Sequence, residues 1–247
     1  MPHLKQLLLC NVLLFMLATA AFTQEAKNAL LIANGEYGRN MGALSQPVLE
    51  ARELKSALES IGFNVTLVQN VDLEAMQKAL AAFKAKTQRE GGYAFFHYGG
   101  HAVQIKGVNY LIPLRATLDD EEDVLYRCLR VDELMQSMKG DTNIIVFDSA
   151  FTSPFIRAEG MLIASSFNGI VNEEMANSII VYSAIPGTAA RDGLFTPILT
   201  KRITEKGRSF YDVLQEIRKD VHTSTGGEQR PFWYGALFSD ISLTGFD

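Results

Sequence analysis

Residues 95–102 read Phe95-Phe96-His97-Tyr98-Gly99-Gly100-His101-Ala102, and residues 145–150 read Ile145-Val146-Phe147-Asp148-Ser149-Ala150. Each stretch begins apolar and ends abruptly in small or polar residues. A short continuous apolar run bounded by turn formers is the pattern of a strand buried on both faces. A strand over Tyr93–Tyr98 therefore delivers Gly99-Gly100-His101 at its carboxyl end, and a strand over Asn143–Phe147 delivers Asp148-Ser149-Ala150. Paired glycines allow a tight turn and close backbone approach, which suits a loop that carries a reactive side chain. His101 is either a general acid–base or a loop histidine bonded to its neighbours. Asp148 is either a functional carboxylate at the mouth of the sheet or an aspartate that satisfies backbone donors. His97, inside its strand, reads as a core or sheet-face histidine. Ser149 lacks the Gly-x-Ser-x-Gly elbow of a serine nucleophile and carries little weight as one.

Outward from these two strands the chain alternates. Ala29–Ala33 is a further buried strand, followed by the Asn34-Gly35 turn signal. Pro47 opens a helix in which Val48, Ala51, Leu54, Leu58 and Ile61 recur at helical spacing until Gly62 stops it. A strand over Phe63–Val68 and a helix over Leu73–Lys86 follow. Gln104–Leu111, broken at Lys106-Gly107, reads as a hairpin, and Val131–Met138 as a helix. Ser178–Ser183 is a strand, Phe195–Glu205 and Phe210–His222 are helices, and the last strand falls near Ala236–Ser239. This order predicts an α/β domain with a mostly parallel central sheet of about six strands and helices on both faces. In such sheets functional groups collect beyond the carboxyl ends of the central strands.

Composition narrows the classes. With 47% hydrophobic residues in 247, the chain can bury one sizeable core. A net charge of −5 gives no general attraction for nucleic acid or anionic membrane. At the amino terminus Lys5 precedes an apolar run, Leu7–Leu17, and then Ala18-Thr19-Ala20. The run is short for a bilayer, so residues 1–21 read as a cleaved secretory signal, giving an exported protein, periplasmic or secreted, with no membrane span after removal. Leu7-Leu8-Leu9-Cys10 resembles a lipoprotein box, although the apolar stretch continues past the cysteine. Loss of Cys10 leaves Cys128 alone, with no intrachain disulfide and no cysteine-based metal site.

The two opening stretches have wider context. Phe95–Ala102 followed by Gly107-Val108-Asn109-Tyr110-Leu111-Ile112-Pro113 resembles the metacaspase pattern of an aromatic strand, Tyr-Ser-Gly-His-Gly, then Gly-x-Asn-Tyr-Leu and Pro. Ile145–Ala150 with Phe151-Thr152-Ser153-Pro154-Phe155 is similar to the family's second motif, an apolar strand running into Asp-(Ala/Ser)-Cys. Pro47–Arg52, Gly62–Val65, Ala184–Ala189 and Thr225–Gln229 with Pro231 fall where that family has similar strings. The resemblance to the caspase-like cysteine peptidases, of metacaspase or orthocaspase type, covers nearly the whole chain after the signal. It implies a caspase-like three-layer sandwich over residues 26–247, with a large-subunit-like part at 26–155 and a small-subunit-like part at 176–247.

In that family a histidine assists a cysteine thiolate that attacks the peptide carbonyl, and backbone N–H groups hold the oxyanion. By position the resemblance makes His101 the acid–base and Ala150 the nucleophile position, where cysteine is expected. It places the oxyanion amides at Ala102 and Ala150. Asp148, with Glu50 at the start of the first helix, would hold a basic side chain of the substrate. The departures matter most. A methyl group at Ala150 cannot form an acyl-enzyme, and losing a covalent nucleophile costs orders of magnitude in rate. Gly99 replaces the usual serine, Ala102 replaces the glycine after the histidine, and Cys128 is too far from the strand ends to substitute. No cofactor is expected. Calcium, bound by some metacaspases, would draw on Asp119–Asp123, Asp132 and Glu133, which otherwise read as an acidic surface loop. Two functions follow: a non-catalytic pseudo-peptidase that binds a basic peptide or protein partner in the cell envelope, or an endopeptidase cutting after Arg or Lys whose native residue 150 is cysteine.

Overall fold

A computed structural model describes residues 25–38, 41–149, 151–152, 176–185 and 190–246. The expected signal, residues 1–21, lies outside them. In chain order the elements begin with β1 (Lys27–Ala33), α1 (Pro47–Ser60), β2 (Asn64–Gln69), α2 (Leu73–Glu90) and β3 (Tyr93–Gly99). A hairpin of β4 (Ala102–Ile105) and β5 (Val108–Leu111) comes next, then α3 (Glu121–Arg127), β6 (Leu129–Arg130) and α4 (Val131–Met135). β7 (Thr142–Asp148), β8 (Phe151–Thr152), β9 (Ser178–Tyr182), α5 (Phe195–Arg202), α6 (Phe210–Ser224) and β10 (Phe232–Ala236) complete the described chain.

Six strands form one sheet in the order β10-β9-β7-β3-β1-β2, parallel throughout except for the antiparallel edge strand β10. Alternation along each strand sorts the side chains into two cores. Leu31, Phe95, Val146 and Val181 face α1, α5 and α6, while Leu30, Ile32, Phe96, Tyr98, Phe147 and Ile180 face α2 and α4. Strands this apolar on both faces need helices on both, and that requirement produces the expected layering. β3 lies between β1 and β7, with Gly99 opposite Ala33 on one side and Asp148 on the other. The two strand ends singled out in the sequence are thus adjacent at the sheet centre.

Several boundaries differ from expectation. α2 runs on to Glu90, where Gly91 adopts a φ of 63° and its N–H closes on the Thr87 carbonyl. The acidic segment expected as a loop instead makes a helix, with Asp120 capping α3 by accepting from the Asp123 N–H. The last strand lies before Ala236–Ser239, over Phe232–Ala236, because the aromatic run Phe232-Trp233-Tyr234 after Pro231 carries the β preference. α4 and α5 end earlier than expected, at Met135 and Arg202. The hairpin forms as expected: Lys106 and Gly107 both take positive φ, 49° and 81°, as its two-residue turn demands. It belongs to a second, four-stranded sheet, β6-β5-β4-β8.

Candidate active site at the carboxyl ends of β3 and β7

β3 alternates its last side chains between the two faces, and the consequences differ on each. Tyr98 points to the α2 side, where its hydroxyl lies 2.7 Å from the His101 carbonyl and 3.1 Å from the Tyr37 hydroxyl. The Tyr37 hydroxyl lies 2.9 Å from the Ile112 carbonyl and accepts the His101 N–H at 3.0 Å. Two phenol protons and two carbonyls balance if Tyr98 donates to His101 and Tyr37 to Ile112. Burial pushes Tyr37 up to about 12 and Tyr98 well above its ordinary value, so both stay donors. Gly100 is required here, because a Cβ on it would fall 2.7 Å from the Tyr37 Oη and 2.8 Å from the Tyr98 Oη.

This network fixes the backbone of His101, and two further contacts fix its ring. The Tyr37 ring packs on it at 4.5 Å between centroids, and His101 Nε2 lies 2.8 Å from the Gly42 carbonyl. A carbonyl only accepts, so Nε2 carries a proton, and in the neutral ring Nδ1 is the nitrogen that presents its lone pair. A general base needs one such accepting nitrogen. His101 is thus bonded to its neighbours through its backbone N–H, its ring face and Nε2.

The other face holds the carboxylates. Asp148, partly buried at the end of β7, accepts from the Thr196 N–H at 3.1 Å and the Thr196 hydroxyl at 2.7 Å. Because the one Thr196 hydroxyl proton goes to Asp148, His97 Nε2, 3.0 Å from the same oxygen, must donate. Burial holds the His97 imidazole neutral, its pKa pushed down to about 3. Burial raises Asp148 against the opposing pull of the Thr196 donors. Glu50, in the first turn of α1, is 5% exposed, and its Oε1 has no hydrogen-bond partner among the described residues. Burial first, then the negative charges of Asp148, Asp192 and Glu53, push its pKa up to about 8. Asp192 accepts from the Ser45 N–H and hydroxyl at 3.2 and 3.3 Å.

Ala150 lies outside the described residues, and so does the expected pairing of its position with the His101 ring. Its neighbours are described. Ser149 is buried with its hydroxyl donating to the Gly100 carbonyl at 2.7 Å, which occupies it structurally. Ala102 pairs with Phe151 across β4 and β8, so the segments after the two strand ends run side by side. Cys128 is buried at the end of α3, where burial pushes its thiol up to about 12 and keeps it protonated and unreactive. The acidic segment is internally engaged: Asp123 pairs with Arg127 at 2.8 Å, and Asp132 binds Arg130 through both oxygens. Among the described residues no group of three or more His, Cys, Asp or Glu is arranged to hold a metal, and no helix is long and apolar enough to cross a membrane.

Tyr37, Gly42 and Asp192 carry no signal in the sequence. Thr196 carried a partial signal, standing before Pro197 at the opening of a helix. Tyr37 and Gly42 contribute a ring face and a backbone carbonyl, which leave no pattern in a single sequence.

A mostly parallel sheet between two helical layers, with a histidine beyond one central strand and an aspartate ending the next, defines a caspase-like α/β sandwich. The chain belongs to the peptidase C14 caspase-domain family, whose model it matches over residues 26–241. Among solved structures it is similar to the Drosophila initiator caspase Dronc, with a TM-score of 0.65 over 92% of this chain and 90% of that one. Sequence identity with Dronc is 11%, so this likeness concerns the fold alone. No curated protein matches the chain.

Proposed function

We propose that this caspase-domain chain is a non-catalytic member of its family, an exported pseudo-peptidase that binds a peptide or protein partner through a basic side chain in the cell envelope. Ala150 removes the thiolate on which covalent peptide cleavage depends. The observation that carries the binding half is Glu50: a buried carboxyl whose Oε1 has no donor among the described residues, acted on by Asp148 and Asp192. A guanidinium or ammonium group is its chemical complement, supplying both charge and hydrogen-bond donors. No step of this function calls for a cofactor, nucleic acid or a membrane span. Export rests on residues 1–21. The test is binding of Arg-ended against Asp-ended peptide amides to the chain as it stands, with hydrolysis followed in parallel. Preferential binding of the Arg-ended peptide without cleavage is expected. Equal affinity, or preference for the Asp-ended peptide, removes the reading.

A second reading, an active endopeptidase cutting after Arg or Lys with cysteine native at position 150, draws support from His101. Its Nε2 is engaged by Gly42 and its Nδ1 is left basic, the arrangement a thiol would use. The native codon at position 150 decides between the two.

A further inference from the structure

Glu50, Asp148 and Asp192 differ in what already supports their charge. Asp148 has two donors from Thr196, and exposed Asp192 has two from Ser45. Glu50 is 95% removed from solvent and its Oε1 has no donor among the described residues. The carboxyl points at the loop before α5, with Oε1 3.9 Å from where a Cβ on Gly193 would stand. Among the described residues the charges acting on it are negative: Glu53 from α1 itself, Asp148 from the end of β7 and Asp192 from that loop. His97, which β3 presents to the same face, is neutral, and Arg191 is paired with Glu228. An ionised carboxylate that is buried, leaves an oxygen without a donor and stands among anions costs several kcal/mol. Of the three, Glu50 is therefore the one that holds a proton while no cation is bound, in agreement with a pKa near 8.

Given that this carboxyl cluster takes a cationic side chain, as read above, we propose that Glu50 exchanges its proton for that cation. On binding, the O–H bond of the Glu50 carboxyl breaks and the proton passes to solvent. The electron pair stays on the carboxylate, which then accepts N–H donors from the ligand. Nothing else is consumed. Binding is thereby tied to pH at a charge-selective site: arginine keeps its charge throughout, so the titration belongs to Glu50. Affinity rises by up to about tenfold per pH unit below the Glu50 titration and levels off above it.

The experiment is titration calorimetry of the full chain with an acetylated tripeptide amide ending in arginine, from about pH 6 to about pH 9, in buffers of different ionisation enthalpy. Release of close to one proton at the acid end, falling toward zero at the alkaline end, is expected. Glu50→Gln should bind more weakly, with no pH dependence and no proton release. Asp148→Asn should bind more weakly yet still release the proton, which guards against a Glu50 variant that fails to fold. Binding of the arginine peptide over its norleucine counterpart, but flat with pH and without proton release, overturns the exchange and leaves the basic-ligand reading intact. No binding of the arginine peptide at any pH overturns both.

Discussion

Glu50 occupies the first turn of a helix, where the helix dipole ordinarily favours a negative charge by a few tenths to about 1 kcal/mol. Burial and three neighbouring anions outweigh that effect here, since they raise its pKa from 4.5 to about 8. The sign of the stability effect follows. The native state holds this proton over the window from about 4.5 to about 8, where the unfolded chain releases it, so stability falls as pH rises through the window. Glu50→Gln should leave thermal stability nearly unchanged near pH 4 and raise it near pH 9, by an amount on the order of a few kcal/mol. Melting curves of both proteins at the two pH values check this, and a constant difference between them would refute it. Position 50 could be nominated from the sequence because it sits in an ordered set of family-like strings. Its protonation could not, since that depends on Asp148 and Asp192, which are brought beside it only by the folded sheet. The partner of His97 was illegible for the same reason: Thr196 lies 99 residues further along.

α5 shows how one carboxylate can serve an element and a site together. Its N-cap residue, Leu194, supplies no side-chain acceptor, and the Thr196 N–H is satisfied instead by Asp148, 48 residues away. The capping and functional readings of Asp148 therefore do not compete, because one oxygen accepts both Thr196 donors. They can be separated by substitution. Asp148→Ala leaves a buried helix start without an acceptor and should cost about 1–2 kcal/mol of stability. Asp148→Asn keeps an acceptor oxygen and should cost distinctly less, while weakening binding of a basic peptide to a similar extent as alanine. Denaturant unfolding beside peptide titration checks both, and equal stability losses would mean that the cap contributes nothing. The parallel strands of the central sheet were legible because apolar runs such as Asn143–Phe147 are short, continuous and punctuated. α3 was not, because five consecutive acidic residues, Asp119 to Asp123, mask a helix whose cap and first turn they form. Charge there is compatible with a solvated loop and with a helix N-terminus alike.

At the scale of the molecule, the sheet sets two groups at adjacent strand ends: His101 held from the α2 side, the carboxylates held from the α1 and α5 side. The histidine half stands independently of residue 150, since its fixing groups are Tyr37, Tyr98 and Gly42. The carboxylate half likewise depends on Thr196 and burial. Ala150→Cys therefore asks whether two intact halves suffice once a thiol is restored. Covalent attack needs the sulfur, the imidazole and the oxyanion donors within a few tenths of an ångström of productive placement, and a 1 Å error can cost about a hundredfold. A site released from turnover has no physical reason to keep that tolerance. Two residues beside the histidine also depart from the family pattern, Gly99 and Ala102. The His97 ring fills part of the space beside Gly99, its Cε1 3.5 Å from where a Cβ would stand. Ala102 is buried in β4, paired on both sides. The expected outcome for Ala150→Cys is retained binding of an Arg-ended peptide with cleavage at or near background. The assay is hydrolysis of a fluorogenic Arg-ended substrate, with the Ala150→Cys, His101→Ala double variant as control. Strong cleavage abolished in the double variant would show that a single side chain separates this protein from an active peptidase, and would overturn the non-catalytic reading of its cleft.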